Sequence, residues 1–173
     1  LLTCWKLDKE YASKGQIVEV RTLEMFLEEH PLLRGLNERY PGLLAGYASG
    51  VRFRPRELIF RQGDPAEHFY LIRDGRVSVE LQSPYKGTQI IQTLGAGEVL
   101  GCSWLFPPYQ WYFDARSIEN TSAIRIDGAT LRRKCDQDPA LGYTLMKRFS
   151  AIMHERMQTA RLQLPDLYGP MSG

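Results

Sequence analysis

The residues best placed to do chemistry lie in one stretch, Gly95-Ala-Gly-Glu98-Val-Leu-Gly101-Cys102-Ser103-Trp104-Leu105-Phe106. It reads as a glycine-punctuated strand end that runs into one short helical turn. Such a junction offers backbone N–H groups and the positive end of a helix dipole, which together suit an anion. Cys102 heads that turn, where a thiol can be acidified into a redox or nitrosation sensor; an inert buried thiol is the plainer expectation. A second cationic feature is the series Arg52, Arg54, Arg56 and Arg61. It reads either as an anion-binding stripe or as the solvated face of a strand. No serine or cysteine nucleophile stands in a recognisable setting with a base, and no metal-ligand spacing or phosphate-transfer loop is present. A non-catalytic chain with no cofactor is the expectation.

The totals agree with a binding module. An apolar fraction of 43% beside 24% charged residues suits a soluble globular chain of 173 residues, long enough for one domain with helical extensions. The net charge of +2 argues against a nucleic-acid or membrane surface over the whole chain. Cys4, Cys102 and Cys135 are odd in number and far apart, so free thiols in a reducing, cytoplasmic setting are expected. The chain opens on Leu1 and not Met, which reads as a processed or cut start. Leu1-Leu-Thr-Cys4 loosely matches the end of a bacterial lipoprotein signal, yet no hydrophobic segment stands before it.

The elements that must position the junction can be read from periodicity. Residues 1–20 are mixed in character. Thr22–His30 carries Leu23, Phe26 and Leu27 on one helical face, with Thr22 as N-cap, and Pro31 stops it. Leu32, Leu33 and Leu36 anchor a turn, and Glu38–Ala48 suits a second helix closed by Gly50. From Val51 the period falls to two. Short strands are expected at Val51–Phe53, Leu58–Phe60, Phe69–Ile72, Val77–Leu81, Thr88–Leu94, Tyr112–Ile118 and Ser122–Ile126. Asp74-Gly75 reads as a tight hairpin turn between two of them. Strands spaced about ten residues apart favour a sandwich or barrel. Ala129–Cys135 adds a turn or two of helix, and Asp138-Pro139 opens a long helix ended by Pro165. Its apolar stripe is Met146, Phe149, Met153, Met157, Ala160 and Leu164, widened by Leu141, Leu145 and Ile152.

This order of elements, from about His30 to Leu164, resembles the cyclic-nucleotide-binding domain. That family includes the bacterial catabolite activator and the regulatory subunit of protein kinase A. The landmarks are Gly63-Asp64, the stretch Tyr70-Leu-Ile-Arg-Asp-Gly75-Arg-Val77, Gly97-Glu98 and Gly101. The resemblance implies an α+β domain: an eight-stranded antiparallel jelly-roll barrel with N-terminal helices and a long C-terminal helix. The expected limits are an extension over 1–30, the domain over 31–165 with its helix at 138–164, and a tail over 166–173.

In that family the junction is a phosphate-binding cassette. Its glycine approaches the cyclic phosphate, a Glu accepts from the ribose hydroxyl, and an Arg pairs with the phosphate. Here the resemblance places Gly101 at the glycine, Cys102 at the Glu and Ser103 next to it. Counting back from Ile126-Asp127 puts Trp111 at the Arg, or Gln110 if one gap is allowed, with Tyr112 following. Neither residue carries charge, and losing one charge-assisted pair weakens binding by roughly 1.5–3 kcal/mol, about ten- to hundredfold. Tight binding of cAMP or cGMP is therefore not expected, although a receptor with atypical contacts is the alternative. The aromatic run Trp104, Phe106, Tyr109, Trp111, Tyr112 and Phe113 either plugs the cavity or lines an altered pocket for a flat ring with a small anionic group. A bacterial regulatory protein is expected, acting through a protein partner and forming a homodimer through its C-terminal helix. No DNA binding is expected, because only about nine residues follow Leu164, too few for a helix-turn-helix domain.

Overall fold

The computed structural model describes residues 23–167, with side chains as far as residue 159. The Thr22 cap, the lipoprotein-like start and residues 168–173 of the expected tail lie outside the described residues. After Arg133 the described residues divide into two compact units.

The first unit opens with a helix over residues 23–29, α1, whose Leu23 and Leu27 are buried as the spacing requires. His30 ends it, and Leu32 and Leu33 anchor the following turn in the interior. Helix α2 (Arg39–Ala45) holds Pro41 in its first turn and buries Tyr40 and Leu44. It is shorter than expected. The chain enters β1 (Ala48–Phe53) directly, and Gly50 pairs with Ile124 inside that strand instead of closing the helix.

The strands that follow are β2 (Leu58–Phe60), β3 (His68–Asp74), β4 (Val77–Ser83), β5 (Gly87–Leu94), β6 (Val99–Leu100), β7 (Asp114–Ser117) and β8 (Thr121–Asp127). They form two four-stranded antiparallel sheets, ordered β1-β8-β3-β6 and β2-β7-β4-β5. The expected closed barrel is thus corrected to two separate sheets. The Asp74-Gly75 turn is corrected with it. β3 pairs with β8 and β6, whereas β4 pairs with β5 and β7, so this turn carries the chain between sheets and makes no hairpin. Gly75 is required there: its φ is +86°, and a Cβ would lie 2.5 Å from the Asn120 carbonyl oxygen.

Inward residues of both sheets make the core. Tyr70, Ile72, Val77, Leu94, Leu100, Ala115 and Ala123 form its centre, with Val51, Phe53, Ile59, Phe60 and Val79 packed against it. Ser78 and Glu80 alternate with Val77 and Val79 along β4, yet both are buried. The Arg116 guanidinium lies across Glu80 (Nε to Oε2 3.4 Å), and the Ser78 hydroxyl donates to the same carboxylate at 2.6 Å. Pairing of this kind makes a buried carboxylate tolerable.

Helix α3 (Gly128–Gln137) begins at a strong cap. Asp127 accepts from the Thr130 N–H and from the Thr130 hydroxyl, both at 2.8 Å. Burial alone would raise the Asp127 pKa, but those two hydrogen bonds overcome it and hold the carboxyl below its ordinary value.

In the second unit α4 (Pro139–Leu167) starts as read, with Asp138 accepting from the Leu141 N–H at 3.2 Å. It runs past Pro165 to Leu167, since a proline so near the helix end removes only its own N–H from the ladder. Its buried positions are Leu141, Leu145 and Phe149, while Met146 and Met157 are exposed. The stripe is therefore rotated from the expected Met146–Met157 line. Gly142 packs on Cys135, where a Cβ would lie 3.1 Å from the Cys135 Cβ. Burial, with Asp136 and Asp138 adding to it, pushes the Cys135 thiol up to about 11. That thiol stays protonated and inert at neutral pH.

Candidate functional site

Residues 95–113 leave the core and return to it, and backbone pairing fixes both limbs. On the entry limb the Glu98 carboxylate accepts from the Gly95 N–H at 2.7 Å, which closes a tight turn. Ile72 and Gly97 add two ladder bonds, 3.0 Å from the Ile72 N–H to the Glu98 carbonyl and 2.8 Å from the Gly97 N–H to the Ile72 carbonyl. Val99 and Leu100 then pair with Leu71 and Tyr70. On the return limb Gly63, Ala66 and Trp111 donate to Trp111, Tyr109 and Asp64 carbonyls at 2.7–3.0 Å. The Gln62-Gly63-Asp64-Pro65 turn is what holds the far side of the loop.

Between the limbs the helical turn is a three-residue 3-10 segment, Ser103–Leu105, flanked by Cys102. It is too short to build the macrodipole expected of it. Its Trp104 is fully buried and stacks on Phe69, ring centroids 4.9 Å apart and planes 14° apart. Gly128 is the floor under that indole, since a Cβ there would meet Trp104 at 2.9 Å.

Gly101 and Trp111 come together. Gly101 has φ +89°, and a Cβ on it would lie 2.7 Å from Trp111 Cη2 and Cζ3. The indole of Trp111 thus covers the glycine that the resemblance assigns to phosphate. It is buried and lies flat on Phe60, centroids 3.8 Å apart and planes 9° apart, and Phe60 in turn stacks on Tyr70. Cys102 and Ser103 are half-buried beside it. Gln110 and Tyr112 point to solvent, so the gapped alternative for the phosphate arginine lies on the outer side of the loop. Arg116 does not serve this site. Besides Glu80, it donates through Nη1 to the Arg56 carbonyl at 2.8 Å.

One residue that the sequence reading passed over belongs here. Arg132 on α3 donates through Nη1 to the Trp104 carbonyl, and its guanidinium lies 4.0 Å from the centroid of the Tyr109 ring. Tyr109 itself is held at φ +57°, rare for a side-chain-bearing residue. Twenty-eight residues separate Arg132 from Trp104 in the chain, and neither spacing nor periodicity links them. The Asp127–Thr130 cap did have a signal, an Asp just before the helix.

The junction that the resemblance assigns to the phosphate thus holds the Trp111 indole against Gly101. The family model for the cyclic nucleotide-binding domain matches residues 50–138, just over half of the chain. The chain belongs to that family. Among its relatives is the cAMP-dependent protein kinase regulatory subunit of Dictyostelium discoideum, 28% identical over 124 residues, which are 69% of this chain and 38% of that one. Of the first two curated relatives the chain spans only 26% and 38% of the length. A cyclic nucleotide-binding domain from Methylobacillus flagellatus has the same fold, with a TM-score of 0.72 and 19% identity over 88% of this chain and 86% of that one. The regulatory subunit of a cAMP-independent protein kinase A from Trypanosoma cruzi, bound to guanosine, shares the fold at a TM-score of 0.59 and 21% identity, covering 73% of this chain and 49% of that one.

Among the described residues no helix is long and apolar enough to cross a membrane, and no group of His, Cys, Asp and Glu could hold a metal ion.

Proposed function

We propose that the chain is a non-catalytic regulatory module that keeps the cyclic-nucleotide scaffold without binding cAMP or cGMP tightly. The observation that carries this reading is Trp111, packed on Gly101 and stacked on Phe60 in the space over the cassette glycine. A cyclic phosphate seated there would have to displace a buried indole. Re-exposing a ring of 150–250 Å² costs about 4–6 kcal/mol, three or four orders of magnitude in affinity. The absent carboxylate and guanidinium, with Cys102 and Trp111 in their places, weaken binding further. The cAMP-independent kinase subunit with guanosine supports the idea that this scaffold can regulate without a cyclic phosphate.

Arg132 supplies what such a module needs, a cassette held in one arrangement by the protein itself. Its bonds to Trp104 and Tyr109 join α3 directly to the loop. The output element in this reading is α4, whose exposed Tyr143, Met146 and Met157 offer an apolar face to a second copy of the chain or to a regulatory partner. A cytoplasmic setting is part of the proposal, supported by the half-buried Cys135, a free thiol.

Calorimetry with cAMP, cGMP and guanosine tests the loss of the phosphate site. No saturable heat from either cyclic nucleotide is expected at ligand concentrations of about 100 µM, where a micromolar receptor would be nearly saturated. A dissociation constant below about 10 µM for cAMP or cGMP overturns the proposal. Binding of guanosine alone leaves it standing and identifies a ring-shaped ligand.

A further inference from the structure

Arg52, Arg54 and Arg56 do not spread along the face of a strand. They line one end of the sandwich together, around an open cleft of about 1060 Å³. Asp74, Asn120, Thr121 and Ser122 also line it, and Ser122 pairs with Arg52 on one side and Asp74 on the other. Arg61, from the same stretch, is not part of it.

The charges in this cleft are unequally matched. Neighbouring arginines each have a carboxylate: Arg76 pairs with Glu119 at 3.1 Å, and Arg116 with Glu80 at 3.4 Å. Among the described residues Arg52, Arg54 and Arg56 make no ion pair. Glu57, also in the lining, engages its carboxylate with the Arg54 backbone N–H at 2.7 Å and forms no ion pair with a guanidinium among the described residues, so with Asp74 the cleft carries three positive groups against two negative ones. Three unpaired guanidinium groups around one concavity raise the local potential and favour an anion.

The turn that presents them is fixed. Arg56 has φ +67°, a conformation that a side chain disfavours. It is held there because its N–H donates to the Ser117 carbonyl at 2.8 Å and its own carbonyl accepts from Arg116 at 2.8 Å. Glu57 closes the turn on both sides, donating to the Arg54 carbonyl at 3.0 Å and accepting from the Ser117 N–H at 2.9 Å. Backbone strain maintained by so many bonds is a feature of ligand clamps.

We propose that this cleft binds a small hydroxylated phosphomonoester, its phosphate on Arg52, Arg54 and Arg56 and its hydroxyls on Asp74 and Asn120. Guanidinium forks match a dianionic phosphate, and the Asp74 carboxylate, not engaged in an ion pair among the described residues, accepts from a hydroxyl while repelling a second anionic group. The site lies outside residues 95–113 and does not depend on how the cassette is read.

Amide chemical shifts of the full chain, followed during titration with inorganic phosphate, ribose 5-phosphate and ribose, test it. Saturable shifts are expected at residues 52–57 and 120–122, with ribose 5-phosphate about tenfold tighter than inorganic phosphate and ribose alone without effect. The exposed double substitution Arg52→Gln/Arg54→Gln should weaken both phosphates at least tenfold at an unchanged melting temperature, whereas Arg61→Gln should leave them as they were. Asp74→Asn should abolish the preference for the sugar phosphate. Shifts that grow linearly without saturating, an equal loss on Arg61→Gln, or a response centred on residues 101–104 each overturn the proposal.

Discussion

His30 is the described side chain with the plainest pH consequence. Its Nδ1 accepts from the Leu32 N–H at 3.2 Å, so the proton of the neutral ring sits on Nε2, a buried atom without a partner. Burial pushes the imidazole pKa down from 6.5 to about 4. Since the folded value lies below the unfolded one, the unfolded chain binds the extra proton between those two values. Stability tied to His30 is complete above about pH 6.5 and falls as pH drops toward 4, by about 3 kcal/mol in all. The ring resonances of His30 should not titrate above about pH 5, and a His30→Phe variant should lose less stability than the native chain between pH 7 and 4. A ring that titrates near 6.5 contradicts the account. None of this was legible in the sequence, where His30 is simply the last residue before Pro31. By contrast, the resemblance drew attention to Gly101, setting Cys102 where the family has a carboxylate and Trp111, or Gln110 with one gap, where it has a guanidinium. What spacing could not supply was direction: Trp111 turns inward onto Gly101, and Gln110 turns out.

Among the elements, strands were legible where burial alternates along them, as in β7, and helices where an aspartate caps them, as in α4. Errors arose where long-range pairing decides. Asp74-Gly75 has the residues of a hairpin turn, but its two strands find partners in different sheets, which no local signal records. Arg132 is a similar case, a charged residue on a short helix whose partners lie in a distant loop. Its contribution can be measured. A hydrogen bond from a charged donor contributes about 1.5–3 kcal/mol, and a cation over an aromatic face adds about 0.5–1 kcal/mol at a half-exposed position. Arg132→Ala should destabilise the chain by about 2–4 kcal/mol in urea unfolding. Arg132→Lys should recover only part of this, because a point charge keeps the ring contact but not the planar fork. The variant should also increase hydrogen exchange at residues 103–109 more than in β3 or β8, since it frees the loop and leaves the sheets paired. Uniform exchange across the unit would show that Arg132 stabilises the fold in general and does not hold the cassette.

For the whole molecule, the sequence conveyed the order of elements and the family, but not which side of α4 is free. The helix has 29 residues, about 43 Å of length, and its buried positions Leu141, Leu145 and Phe149 follow an i, i+4, i+8 line. Tyr143, Met146 and Met157 lie off that line and in solvent, beside half-buried Met153, whereas Ile152 falls on the buried line. An apolar face of this kind is the natural site for the proposed second copy, because a two-fold pairing of α4 would bury each methionine against the same face of its mate. Light scattering should then give about twice the chain mass at micromolar concentration. A Met146→Glu/Met157→Glu variant should return the single-chain mass while leaving far-ultraviolet dichroism unchanged, since both positions are exposed and accept a charge without penalty to the fold. A single-chain mass for the native protein at all concentrations would rule out self-pairing and leave a different protein as the only candidate for this face. A dimer that survives both glutamates would place the contact elsewhere and remove α4 from the proposed output.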